Sequence, residues 1–336
     1  MKQILISGAL SLLAILCFPG SVPAGQAAPE PQDIVVWTQM APAEAPEPTE
    51  TENNYEEAQP QTVRLLDGGA VTTLDMTDYL TAVVLCEMPP EFEPEALKAQ
   101  AVAARTFTVK REQSSKHENA DVCSDSACCQ AWKSEAALRE KFASDYDACT
   151  RKARDAVEAT DGEVLVYDGA LIDAVYFSCS GGRTEDAVAV WGAEVPYLRS
   201  VESYGEEAAL RYSSEVSFTP AELRSLLGDE TLAGAPEGWF GAVCYTHGGG
   251  VDTMQIGKKS YPGTELRRLL GLNSTVFTVS VDSNTIVFHV LGYGHRVGMS
   301  QYGANHMAQQ GFDYRVILQY YYQGAEVQKI AASGNP

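Results

Sequence analysis

The segment from Pro94 to about Arg111, PEALKAQAVAARTFTVKR, constrains the fold more than any other stretch of this chain. Pro94 suits the first turn of a helix, where its missing N–H is not needed. Ala96, Leu97, Val102, Ala104 and Phe107 recur at largely helical spacing, and alanine is the best helix former. So many alanines predict close packing against another element. The chain around this helix has 336 residues, ample for a core without crosslinks. A 45% hydrophobic content excludes a wholly disordered protein. With 24 basic against 45 acidic residues, the net charge is −21. That argues against a nucleic-acid partner, which needs a basic footprint, but leaves open a local basic cleft in an acidic shell.

The N-terminus reads as an export segment. Lys2 precedes an uncharged run, and Ile4 to Pro23 is 20 residues without a charge. Val22-Pro23-Ala24 before Gly25 fits a signal cleaved after Ala24, whereas the run length also fits a membrane anchor. Both readings of residues 1–24 place the body of the protein outside the cytoplasm. Residues 25–60 are rich in proline and alanine, and residues 28–60 hold eight acids and no base. Such a segment is expected to be a disordered, extended tether. The folded domain is expected over residues 61–330.

Within that domain, Val63–Leu66 and Ala70–Leu74 flank Asp67-Gly68-Gly69 as a hairpin. Residues 76–86 read as helix or strand, and Pro89-Pro90 break the chain. Ala136 to Thr160 looks helical, and Gly162 to Phe177 alternates as two strands around Asp168-Gly169. Helices are predicted over Pro220–Leu227, Glu265–Leu270, about Ser300 to Gln310, and Tyr314 to Tyr322. Phe277–Val281 and Thr285–Leu291 form a further hairpin. Strands and helices mix without regular βα alternation, so the fold class is α+β, one mixed domain with several antiparallel hairpins.

Four places carry candidate chemistry. Glu87 lies between apolar neighbours in Leu85-Cys86-Glu87-Met88, where a raised carboxyl pKa would suit a general acid; a surface salt bridge is the plainer alternative. Lys98 and Arg105 are seven residues apart, on roughly one face of the following helix. Ser178-Cys179-Ser180-Gly181-Gly182 follows a strand, either as a ligand-approach loop or as a tight turn; Cys179 there is a possible nucleophile or a small buried side chain. Gly292-Tyr293-Gly294-His295 lies between a strand and a helix capped by Ser300, with His295 an acid–base, substrate-orienting or structural group. His117, Cys123, Cys128 and Cys129 fall within thirteen residues. Soft thiolates with an imidazole suit tetrahedral zinc, and one disulfide plus free thiols is the alternative.

Three segments together resemble the stage II sporulation protein D family, whose domain is shared with amidase-enhancer proteins. They are Ala82–Pro89 running into Glu95–Thr106, then Ser180–Thr184 through Val190-Trp191-Gly192 to Val201, then Gly292–Ala304 with Gly311 and Ile317–Gly324. The resemblance spans residues 62–327. It implies a lytic transglycosylase acting on peptidoglycan glycan strands stripped of stem peptides by an amidase, during engulfment of the forespore. The family's catalytic glutamate falls on Glu87. Lys98, Arg105, Tyr197, His295 and the Ser180-Gly181-Gly182 turn fall on positions expected to line the glycan cleft, with Ser300 and Gln301 also assigned to substrate. One branch of the family carries a zinc loop matched by His117, Cys123 and Cys129. Cys128 stands where a second histidine is usual, which keeps four ligands and leaves no open position, so the zinc is expected to be structural. Arg296 departs from the glycine of many members. A cell-wall amidase and a membrane scaffold of the engulfment machinery are the implied partners. The alternative is a non-catalytic wall-binding enhancer of an N-acetylmuramoyl-L-alanine amidase, and a third reading is a hydrolase using Cys179 with His295.

Overall fold

The computed structural model describes residues 62–229, 231–282 and 284–330. The export segment and the acidic tether lie outside the described residues. The chain opens with the hairpin β1 (Thr62–Asp67) and β2 (Ala70–Asp75), whose turn residues Gly68 and Gly69 both take positive φ, as a tight hairpin turn demands. Asp75 then caps α1 (Met76–Glu87), its carboxylate accepting the Thr77 and Asp78 N–H groups at 2.8 and 3.2 Å. The long helix α2 (Pro94–Gln113) follows, with Pro94 in its first turn as expected. A short strand β3 (Val122–Cys123) joins β1 in parallel. Then come α3 (Glu135–Phe142) and α4 (Tyr146–Ala159), separated by a 3-10 turn, so the single helix expected over this stretch is broken at Ala143, whose φ is +47°.

Strands β4 (Glu163–Tyr167) and β5 (Ala170–Leu171) form the hairpin around Asp168-Gly169. The second strand ends earlier than expected. Tyr176–Phe177 is a separate strand, β6, which pairs in parallel with residues 299–300 far along the chain. After α5 (Ala187–Trp191) come β7 (Ser213–Phe218), α6 (Pro220–Leu227), β8 (Phe240–Tyr245), β9 (Val251–Ile256), β10 (Lys259–Pro262) and α7 (Gly263–Leu270). The expected hairpin is β11 (Val276–Asp282) with β12 (Thr285–Leu291). The chain closes with β13 (Met299–Ser300), α8 (Gln301–Gln309), α9 (Tyr314–Tyr321) and β14 (Glu326–Lys329), which returns to β4. Helices and mainly antiparallel sheets mix without βα alternation, so the fold is α+β.

Two large apolar cores organise these elements, with a small third cluster of Val109, Val164, Val166, Leu171 and Ile330. The larger wraps α2 with α1, α4, α8, α9 and β4, and Ala96, Ala99, Ala101, Ala103 and Ala104 have no exposed surface at all. Their small side chains let neighbours approach α2 from every side. The second core lies among β7–β12, α6 and α7 around Phe288 and Ile256. No helix among the described residues is long and apolar enough to cross a membrane.

Candidate active site

Glu87 is the last residue of α1, at the corner set by Pro89 and Pro90. It lines a cavity of about 420 Å³ together with residues of the 126–131 loop, β6, the Gly-His loop and Gln301. Oε1 accepts the Ala131 backbone N–H at 2.7 Å, and Oε2 accepts from Gln301 Nε2 at 3.5 Å. Burial pushes the carboxyl above its usual range. The hydrogen bonds from Ala131, Gln301 and Tyr176 favour the ionised form without cancelling that effect. The side chain keeps some accessible surface only because it faces the cavity. Among the described residues lining it, Glu87 is the single carboxyl group.

Four of the sequence-nominated residues line this cavity: Glu87, His295, Gln301 and the nominated metal ligand Cys129. Gln301 opens α8, and Ser300 caps that helix by accepting the Gly303 N–H at 3.1 Å. His295 Nδ1 accepts the Val297 N–H at 3.1 Å, and the ring donates to the Tyr176 carbonyl. Burial, then the nearby Arg267 charge, take its pKa down to about 4. A neutral imidazole whose Nδ1 accepts a backbone N–H holds the loop and forms part of the cavity wall. Phe177 and Trp191 flank it at ring-centroid distances of 5.7 and 5.6 Å.

Lys98, Arg105, Tyr197, Ser180, Gly181, Gly182 and Ser300 do not line this cavity. Lys98 Nζ pairs with Glu95 at 2.7 Å over the face of Tyr314. Arg105 is buried and donates to the carbonyls of Thr160 at 2.6 Å and Val157 at 2.9 Å, so it fastens the C-terminal end of α4 to α2. The Tyr197 hydroxyl accepts the Asp173 N–H at 3.0 Å. Ser180, Gly181 and Ser300 converge on a residue that the sequence does not single out, the buried Glu206. Its Oε2 accepts from Ser180 N and Oγ at 2.8 Å each and from Gly181 N at 2.9 Å, and its Oε1 accepts from Ser203 Oγ at 2.7 Å and from Ser300 Oγ. Gly182 is also turned toward this carboxylate, at 3.4 Å. The one nearby signal is Gly205, where an added Cβ would fall 2.1 Å from the His306 ring.

Arg296 replaces the glycine of the motif and still takes a φ of +67°. Its side chain makes that conformation worthwhile. Nε donates to the Ser180 carbonyl at 2.8 Å, Nη2 to the Arg183 carbonyl at 2.7 Å, and Nη1 lies 3.4 Å from Glu185. The guanidinium therefore ties the two glycine-containing loops together beneath the cavity.

Beside the cavity, the ligand atoms of His117, Cys123, Cys128 and Cys129 lie within 4.8 Å of one another. His117 Nε2 is 3.4 Å from Cys129 Sγ and 3.7 Å from Cys128 Sγ. A tetrahedral ion with metal–sulfur near 2.3 Å and metal–nitrogen near 2.0 Å would set such atoms about 3.5 Å apart, so the four residues fit a metal site. All seven described cysteines are unpaired by disulfides.

An α+β frame thus surrounds a cavity lined by one carboxyl, with a candidate His/Cys metal site beside it. The model of the family described as Stage II sporulation protein matches residues 67–167. The chain is 38% identical over 266 residues to Stage II sporulation protein D of Bacillus subtilis (strain 168), covering 78% of this chain and 77% of that one. It is also 38% identical to the Bacillus amyloliquefaciens protein of the same name, over 77% of this chain and 75% of that one. The Amidase enhancer of Bacillus subtilis (strain 168) is 30% identical over 73% of this chain and 39% of its own length. The chain belongs to the stage II sporulation protein D family.

Proposed function

We propose that this protein is a lytic transglycosylase that cleaves amidase-denuded peptidoglycan glycan strands outside the cytoplasm during sporulation. One observation carries this reading: Glu87, its pKa raised by burial, is the single carboxyl among the described residues of the cavity. Glycoside hydrolases normally place two carboxyls across the bond, about 5–9.5 Å apart. Lytic transglycosylation needs one. Protonated Glu87 gives its proton to the oxygen leaving C1 of N-acetylmuramic acid. The carboxylate so formed is held by the Ala131 N–H and Gln301, and it then takes the proton of the sugar's own 6-hydroxyl as that oxygen attacks C1. The C1–O bond to the next sugar breaks, a C1–O6 bond forms, and no water is consumed. The product end is 1,6-anhydro-N-acetylmuramic acid.

In this reading Glu87 is catalytic, while Gln301 and His295 shape the cavity. Lys98, Arg105, Tyr197, Ser180, Gly181, Gly182 and Ser300 hold the frame. Zinc in the His/Cys cluster would supply structural crosslinking of the 117–129 loop, with no open position for substrate. Residues 1–24 direct export or anchor the chain, residues 25–60 act as a tether, and 61–330 form the catalytic domain. A wall amidase supplies the substrate, and a membrane scaffold completes the assembly.

A second reading, a non-catalytic wall-binding enhancer, is favoured by the likeness to the Amidase enhancer. Amidase-treated glycan strands incubated with wild type and Glu87→Gln, with products read by mass spectrometry, separate the two. Ends lighter by one water, absent in the variant, support the enzyme. Binding without cleavage by wild type supports the enhancer.

A further inference from the structure

Among the described residues, two arginines near the Gly-His loop pair with no carboxylate. Arg211 places its guanidinium 4.7 Å from the centroid of the Tyr293 ring, and Tyr293 lines the cavity. Arg267 lies in the last turn of α7, half-buried. The residues after α7 are tied to the same loop by the Gly294 N–H, which donates to the Asn273 carbonyl at 3.0 Å. The Arg267 charge is felt by His295. Among the described residues neither side chain forms a hydrogen bond or an ion pair with a carboxylate. Their neighbours do: Arg183 pairs with Glu202, and Arg296 with Glu185. With 45 acids to 24 bases in the chain, acidic partners are plentiful, so two unpaired guanidiniums near the loop that carries the cavity-lining Tyr293 and His295 call for an anion from outside. Desolvation of Arg267 is a cost that such an anion would offset.

We infer that Arg267, together with Arg211 over the Tyr293 ring, binds a carboxylate of the glycan, the lactyl carboxylate that N-acetylmuramic acid presents once its stem peptide is gone. The inference rests on the glycan-strand reading above. It gives that reading a physical basis for preferring denuded strands. A peptide-bearing strand offers a neutral, bulky amide at this position, whereas a free lactyl group offers a planar charge that a guanidinium can grip with two parallel bonds. The reaction supplying the substrate must therefore be an amide hydrolysis at the lactyl carbonyl.

The test uses the full chain carrying Glu87→Gln, so that strands bind without being cut. Two probes are compared: amidase-treated glycan strands, and the same strands with their carboxylates converted to methylamides. The carboxylate strands should bind about tenfold tighter or more, as expected for charge-assisted hydrogen bonds. Adding Arg267→Gln should reduce that preference to about twofold or less, and Arg211→Gln, at an exposed position, should narrow it partway. Equal binding of both probes overturns the inference, as does a preference that survives Arg267→Gln. Thermal unfolding reports whether each variant is folded; should Arg267→Gln unfold, an unchanged preference in Arg211→Gln overturns it instead. Wild-type cleavage is measured on both probes. Cleavage without preference sinks this inference and leaves the transglycosylase reading standing; a preference in binding with no cleavage does the reverse.

Discussion

Ala131 donates its backbone N–H to Glu87 Oε1 at 2.7 Å, and Ala131 follows Cys129 by two residues. The His/Cys loop therefore delivers the shortest polar contact that the candidate acid makes. On the zinc reading proposed above, removing the ion should loosen that contact. Chelation is expected to release one equivalent of zinc and lower the melting temperature by several degrees, at about 2–4 °C per kcal/mol for a domain of this size. Amide exchange at Ala131 should accelerate, and activity should fall about tenfold or more. A chelated protein with an unchanged melting curve would remove the structural role of the loop.

Replacing Glu87 with glutamine keeps the shape and removes the proton. The turnover rate should drop by about 10²–10⁴, the usual contribution of a positioned general acid. Stability should move the other way. Burial raises the folded-state pKa of Glu87, so the folded chain holds a proton that the unfolded chain gives up as pH rises above about 4.3. The stabilising preference for the protonated form is present at low pH and is lost as pH climbs through the folded value. Glu87→Gln should therefore melt above wild type at pH 7, with the gap narrowing toward pH 4. Melting curves at both pH values check this, and a variant less stable at pH 7 would contradict it.

His295 titrates with the opposite sign. Its folded value is about 4 against an ordinary 6.5. The unfolded chain takes up a proton between those values and the folded chain does not. Stability from this group is full above about pH 6.5 and is lost as pH falls toward 4. The melting temperature of His295→Asn should fall less than that of wild type between pH 7 and 4.5. Parallel curves would show that His295 contributes nothing to acid lability.

How much of this was legible beforehand depended on which physical signal each element carried. The helix α2 announced itself through Pro94 and its alanines. Met76–Glu87 was ambiguous because Tyr79 to Leu85 are all buried, and a helix apolar on every side has no stripe to read. The break at Ala143 carries no glycine or proline to mark it. Glu87, Gln301 and His295 were nominated and share one cavity. Lys98 and Arg105 sit on one helix face as the spacing said, but spacing cannot distinguish a cavity from the underside of a neighbouring helix. Arg267 nears the Gly-His loop, and Glu206 meets Ser180, Gly181 and Ser300, only through long-range folding, and no local pattern marks either.

Cys179 can be removed as a nucleophile. It has no exposed surface and does not line the Glu87 cavity. Burial pushes its thiol up to about 11, so the reactive thiolate is nearly absent at neutral pH. Cys179→Ser should keep at least about half of wild-type activity, with a stability loss of roughly 1 kcal/mol for a hydroxyl in an apolar site. Abolished cleavage in a folded Cys179→Ser protein would restore the thiol hydrolase reading.

Glu206 makes the strongest stability prediction. Both carboxylate oxygens only accept, from the backbone N–H groups of Ser180, Gly181 and Gly182 and from the hydroxyls of Ser180, Ser203 and Ser300. Glutamine at this position would turn an NH2 group toward donors, leaving them facing one another in a buried site. Glu206→Gln should cost about 2–4 kcal/mol, within the range for breaking a buried charge-assisted network. The damage should also reach the cavity, because Ser300 caps the helix that begins with Gln301, and Gln301 contacts Glu87. Denaturant midpoints give the stability loss, and turnover measured at a temperature where the variant is still folded gives the second effect. A variant of near wild-type stability would mean that the serines and glycines around Glu206 find other acceptors, and that the turn is held by Arg296 alone.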